Sequence, residues 1–140
     1  MDVILIIGRV LFAAILLNSG IAHFAKLDAM AGYAAHKKVP AAKAAVALSG
    51  LILVLGSLAI IFGVFLDLGA LAVAVLLVVM AVSMHDFWTA DEASKQTETI
   101  QFFKNISMAG AALVMFAAVA NSEAGADVLG PMLSGGVFGG

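Results

Sequence analysis

A chain of 140 residues that is 64% hydrophobic and only 11% charged is not built for water, because soluble domains carry about 25% charged residues. A net charge of −2 gives no footing for nucleic acid, and the absence of cysteine excludes disulfides, thiolate chemistry and iron–sulfur ligation by this chain. Any redox role therefore rests on a bound cofactor or on a partner's electrons.

The first apolar stretch runs from Val3 to Ala22 and holds Arg9 within it. A signal peptide has a basic start and a shorter apolar segment. This stretch begins Met-Asp and continues into His23, Phe24 and Lys26, so it reads as a true first helix. Similar stretches follow at about Ala44–Leu66, Leu68–Met84 and Ile106–Ala120. A helix needs about 20 largely apolar residues to span the bilayer core. The expectation is an all-α membrane protein: a four-transmembrane-helix bundle over residues 1–120, then a short glycine-rich tail over 121–140.

The connections have their own signals. After the first span, Asp28–His36 is alanine-rich and predicts a short interfacial helix, and Pro40 suits the first turn of the second span. Asp67 with Gly69 predicts a tight turn joining the second and third spans into an antiparallel hairpin. Asp91 is placed to cap a helix through Glu92, Lys95 and Glu98. Ser49, Gly56 and Gly63 recur every seven residues, with Gly50 and Ser57 beside them, and Gly110 offers a small residue on the fourth span. Small residues let helices approach closely in lipid. The tail reads as flexible by composition. To be ordered it needs a surface to pack on, which points to a homo-oligomer or to other membrane protein subunits.

Charge placement predicts orientation. Lys26, Lys37, Lys38, Lys43, Lys95 and Lys104 all fall on the side of the two longer loops, whereas the other side carries Asp2, Asp67, Glu123 and Asp127. Basic loops stay in the cytoplasm, so both termini are expected outside a bacterial inner (plasma) membrane.

Polar groups inside the membrane are the site candidates. A buried arginine costs at least about 2.5 kcal/mol, so Arg9 needs partners. Asp67 is the acid nearest it in depth, and an Arg9–Asp67 pair is the structural expectation. The functional alternative has Arg9 hold a polar ligand head or a quinone carbonyl. At about 100° and 1.5 Å per residue, Arg9, Gly20 and His23 share one face, but Arg9 and His23 are about 21 Å apart along the axis.

At the basic side, three helix ends reach one depth. They bring His23 and Lys26, then His85, Asp86, Phe87 and Trp88, then Gln101, Lys104 and Asn105. Asp86 is placed to orient His85 or to pair with Lys104, and Trp88 to form the rim. Such a set binds a lipid or quinone headgroup or relays protons. It also serves as a plain anchor of belt aromatics and snorkelling lysines. His23 and His85 at one depth are what bis-histidine ligation of haem, or ligation of chlorophyll, requires; their place at helix ends rather than mid-span counts against it. No other metal site, hydrolase motif or phosphate loop is visible.

The runs GRVLFAAILLNSGIAHF (Gly8–Phe24), HDFW (His85–Trp88) and QFFKNISMAGAAL (Gln101–Leu113) resemble the DoxX family. The resemblance spans about Val3–Ala120. It implies a small four-span inner-membrane protein, of a family associated with quinone-linked redox systems, including a thiosulfate:quinone oxidoreductase, and with membrane-bound oxidant-defence complexes. The family pattern maps onto Arg9, Gly20, His23, His85, Asp86, Phe87, Trp88, Lys104 and Asn105. Relatives often carry an acid near Ser49–Gly50; this chain has none there, and its tail is outside the pattern. The expected function is a subunit of a quinone-linked redox complex. The alternatives are a structural accessory subunit of a larger respiratory or photosynthetic complex, and a small transporter or lipid-binding module.

Overall fold

The computed structural model describes residues 1–123 and 127–138; positions 124–126 and 139–140 of the expected tail lie outside the described residues. Among the described residues five helices follow one another: α1 Asp2–Ala25, α2 Leu27–His36, α3 Ala42–Phe62, α4 Leu66–Met84 and α5 Lys95–Ala120, with a 3-10 turn at Phe87–Thr89 before α5. α1, α3, α4 and α5 are long and apolar enough to cross a membrane, and α2 is the short helix expected at Asp28–His36. The chain is an integral membrane protein with a four-helix bundle. Successive spans pack side by side, α1 on α3, α3 on α4 and α4 on α5, while α2 lies against α3.

The core forms two layers. Leu16, Leu53, Val73, Leu77 and Ala112 fill the middle. Ala13, Ile60, Leu66, Ala70 and Val119 fill the end that carries the termini, where Leu129 and Met132 of the tail pack against them. The tail thus finds its surface on its own chain, and Phe138 stacks edge-on against Phe116 with centroids 5.6 Å apart. Large apolar side chains such as Leu11, Leu55, Val75 and Val114 point outward, as a lipid-facing surface requires.

Several boundaries differ from expectation. The α3–α4 turn is Gly63–Phe65 rather than Asp67–Gly69. Gly63 closes α3 in the left-handed region at φ 65°, a conformation glycine adopts without Cβ strain. Asp67 and Gly69 therefore sit in the first turns of α4. Pro40 precedes α3, which begins at Ala42. α5 begins at Lys95, ahead of the apolar stretch at Ile106, because its first turns are polar and invisible to a hydrophobicity count. Asp91 accepts from the Ser94 amide and hydroxyl at 2.9 and 2.7 Å just before that start.

Small residues bring α1 and α3 together. A Cβ on Gly20 would lie 2.9 Å from the Val54 amide nitrogen, and one on Gly50 would lie 2.7 Å from the His23 Cβ. This contact sets the depth of His23 in the bundle. Gly110, by contrast, has open space where a Cβ would stand, and Ala109 and Ala112 make the buried face of α5 instead.

Candidate functional site

The buried stripe of α1 is Arg9, Ala13, Leu16, Gly20 and His23. One helix face therefore carries a polar group to each end of the bundle.

At the end with the termini, Arg9 is 4% exposed. It pairs with backbone, not with Asp67. Its Nε donates to the Ile60 carbonyl at 2.8 Å and its Nη2 to the Ile61 carbonyl at 2.6 Å. Its Nη1 donates to the Leu129 and Pro131 carbonyls at 3.2 and 2.8 Å. The last carbonyls of a helix lack intrahelical donors and carry the negative end of its dipole. The guanidinium fork caps α3 there and ties the tail to it. Asp67 is fully buried and is committed elsewhere: its carboxylate accepts from the Leu68 amide at 2.8 Å and the Phe138 amide at 2.7 Å. The expected ion pair fails because backbone groups of the α3 end and the tail satisfy both charges separately. Arg9 is also remote from the cavity described next.

At the basic end, a cavity of ≈ 500 Å³ is lined by His23, Lys26, His85, Gln101, Lys104 and Asn105, with an apolar wall that includes Val46, Leu76 and Met80. Four of the expected residues, His23, His85, Lys104 and Asn105, share this lining. The α1 end supplies His23, the α4 end His85, and the second and third turns of α5 supply Gln101, Lys104 and Asn105. His23 is 7% exposed and Asn105 is 5% exposed. His23 Nδ1 lies 2.7 Å from the Ser19 carbonyl. A carbonyl only accepts, so Nδ1 carries the proton and Nε2 keeps a free position. Neither that Nε2 nor the Asn105 amide has a hydrogen-bond partner among the described residues, yet neither is sealed from the cavity.

Asp86 and Trp88 are not in the lining. Asp86 forms an ion pair with Lys37 and accepts from Thr89, so it neither orients His85 nor reaches Lys104. His85 Nδ1 instead meets Glu98 Oε2 at 3.0 Å, and Tyr33 Oη lies 3.5 Å from Glu98 Oε1. Trp88 belongs to an aromatic cluster with Phe87 and Phe102, at centroid distances of 5.3 and 5.7 Å. The Asp86 carboxylate holds the Lys37 ammonium above the usual lysine range. Burial, and then the charge of Glu98, pushes the Tyr33 phenol upward. Sequence reading missed Tyr33, Lys37 and Glu98. The one available signal was that α2 and the loop before α5 had to lie on the same side. Among the described residues no three of His, Cys, Asp or Glu gather as a metal-binding group.

The DoxX family model matches residues 4–86. The match takes in α1 to α4 and ends at Asp86, leaving α5 and the tail beyond it. No curated protein and no solved structure matches the chain.

Proposed function

The chain belongs to the DoxX family, and from that premise we propose that it is the integral membrane subunit of a quinone-linked redox complex, with the quinone head in the cavity at the basic end. The observation that carries this reading is the pair of buried side chains, His23 and Asn105, that turn unused hydrogen-bonding atoms into a chamber with an apolar wall. These atoms are open to the chamber rather than sealed, so a polar ligand there meets hydrogen-bonding positions that the protein leaves unused. The volume lies within the range of about 300–1,000 Å³ typical of small-molecule sites.

A bound quinone would supply a carrier for two electrons and two protons. The chain's own atoms hold the head and handle the protons. The Asn105 amide donates to a carbonyl or accepts from a hydroxyl. His23 Nε2 accepts a hydroxyl proton while Nδ1 stays on the Ser19 carbonyl. His85, backed by Glu98 and then by the Tyr33 hydroxyl, links the cavity wall to the exposed surface of α2. The proposed orientation places this end in the cytoplasm of a bacterial cell, with the termini outside the inner membrane.

Quinone content of gently purified protein, read by native mass spectrometry, tests the proposal. Wild type should retain quinone, and Asn105→Leu and His85→Ala should lose it while remaining folded. Equal retention by all three, or none in wild type, overturns it. Single cysteines at Lys38 and Ser134, in a chain with no others, should label from opposite faces of intact cells.

A second reading has one specific observation behind it. A groove of ≈ 540 Å³ lined by apolar side chains, among them Leu51, Leu55, Phe62, Phe65 and Leu68, runs between α3 and α4. It suits a structural accessory subunit packed against a larger respiratory or photosynthetic complex, and a copurifying membrane partner that is lost on Leu55→Trp would favour it.

A further inference from the structure

The charges around the basic-end cavity are unbalanced. Its lining includes Lys26, Lys104, His23 and His85 but no aspartate or glutamate. Three acids of the neighbouring elements already have partners, and Asp91 and Glu92 of the loop before α5 lie outside the lining. Asp28 of α2 pairs with Lys43 at 2.9 Å, Asp86 after α4 pairs with Lys37, and Glu98 of α5 pairs with His85 at 3.0 Å. Lys26 and Lys104 have no ion-pair partner among the described residues. Both are exposed, whereas Asn105 and His23 beside them are buried. The two exposed lysines therefore belong to the open side of the lining, His23 and Asn105 to its buried side, and Val46, Leu76, Val79 and Met80 form an apolar wall.

We propose that this cavity takes a single-chain amphiphile with an anionic head, a carboxylate or a phosphate, held between Lys26 and Lys104 with the Asn105 amide donating to it and the chain on the apolar wall. The two lysines supply opposite charge at the membrane boundary, where an ion contact is screened less than in bulk water. The apolar wall rewards a hydrocarbon chain by area. The volume of ≈ 500 Å³ suits one chain rather than a two-chain lipid. The inference goes beyond the quinone reading and stands without it, since recognition here is of charge and involves no electron transfer.

The test uses the full-length protein in nanodiscs of neutral phosphatidylcholine. The probes are spin-labelled stearic acid, its methyl ester and a spin-labelled lysophosphatidic acid, at alkaline pH where the acid is ionised. The motionally restricted fraction of the resonance spectrum reports binding. The acid should bind at least about tenfold more tightly than the ester, a difference of about 1.4 kcal/mol. Lys26→Ala with Lys104→Ala should abolish that preference, and both residues are surface-exposed, so a thermal melt should confirm an intact fold. A preference for the acid over lysophosphatidic acid, or the reverse, identifies the head as carboxylate or phosphate. Equal binding of acid and ester, a preference that survives the double substitution, or inorganic phosphate binding as tightly as either amphiphile overturns the proposal. A soluble quinone titrated in parallel separates the two readings: quinone binding without charge preference removes this inference alone, and charge preference without quinone binding removes the redox reading alone.

Discussion

At the end with the termini, Arg9 makes four hydrogen bonds to carbonyls and Asp67 accepts from two backbone amides. At the basic end, Asn105 is about as buried as Arg9, yet its side chain makes no hydrogen bond among the described residues. Both ends place costly polar groups in a low-dielectric bundle. One end saturates them with helix ends and the tail, and the other leaves them facing a chamber. A saturated polar group contributes to folding, and an unsaturated one beside open volume is held ready for a ligand. The contrast assigns structure to the Arg9 end and supports the proposed binding at the Asn105 end, although Arg9 carries the more conspicuous charge.

The strongest attempt to break that contrast is Arg9→Leu. It strips donors from the carbonyls of Ile60, Ile61, Leu129 and Pro131, at about 1–3 kcal/mol for each group left buried and unpaired. The expected outcome is a fall in Tm too large for stable purification, seen as lost monodispersity in size-exclusion chromatography. Arg9→Lys should rescue only in part, because an ammonium cannot reproduce the planar fork. A variant Arg9→Leu as stable as wild type would remove the structural assignment.

Gly136→Ala probes the tail that completes the same end. Its Cβ would stand 2.7 Å from Asp67 Oδ2 and 2.8 Å from a Val119 methyl. Close packing predicts a cost of about 1–3 kcal/mol. Pairing it with Asp67→Ala, which relieves one of the two clashes, should give less than the sum of the single effects. Strict additivity in the thermal melts would mean that the tail and Asp67 do not meet.

At the opposite end the expected sign changes. Asn105→Leu removes a buried polar group that had no protein partner, so its stability should fall by less than about 1 kcal/mol or rise, while ligand retention falls at least about tenfold. Large destabilisation with unchanged binding would invert the contrast between the two ends.

The smallest effect concerns the entry to α5. Hydrogen bonds from Ser94 hold the Asp91 carboxyl below the usual carboxylate range. A depressed folded-state value gives stability that is present above the unfolded value and lost as pH falls through the folded one. Asp91→Ala should therefore melt slightly below wild type at neutral pH and converge with it in acid. A gap that persists under acidic conditions would show that the carboxylate charge plays no part.

Much of the bundle was legible because lipid imposes a simple rule: a spanning segment must be long, apolar and helical. That rule gave the four spans and the convergence of His23, His85, Lys104 and Asn105, while alanine-rich composition gave the short helix at Asp28–His36. It also put Arg9 and His23 on one face of α1. Boundaries at polar turns were harder to read: Asp91 signals a helix through Glu92, Lys95 and Glu98, but not that the helix at Lys95 runs on unbroken into the fourth span.

What the tertiary structure alone decided was partnership. Arg9 takes carbonyls rather than Asp67, Asp67 takes the amides of Leu68 and Phe138, His85 takes Glu98, and Asp86 takes Lys37. Side-chain charge can be read from a sequence, and it suggested acids for bases. Backbone carbonyls and amides occur at nearly every residue and have no letter of their own. Which of them stand free, and near what, depends on where α3 stops at Gly63 and where the glycine-rich tail comes to rest. The same holds for the cavity: its residues were legible, but its volume and its unused Nε2 and amide exist only once three helix ends leave a space between them.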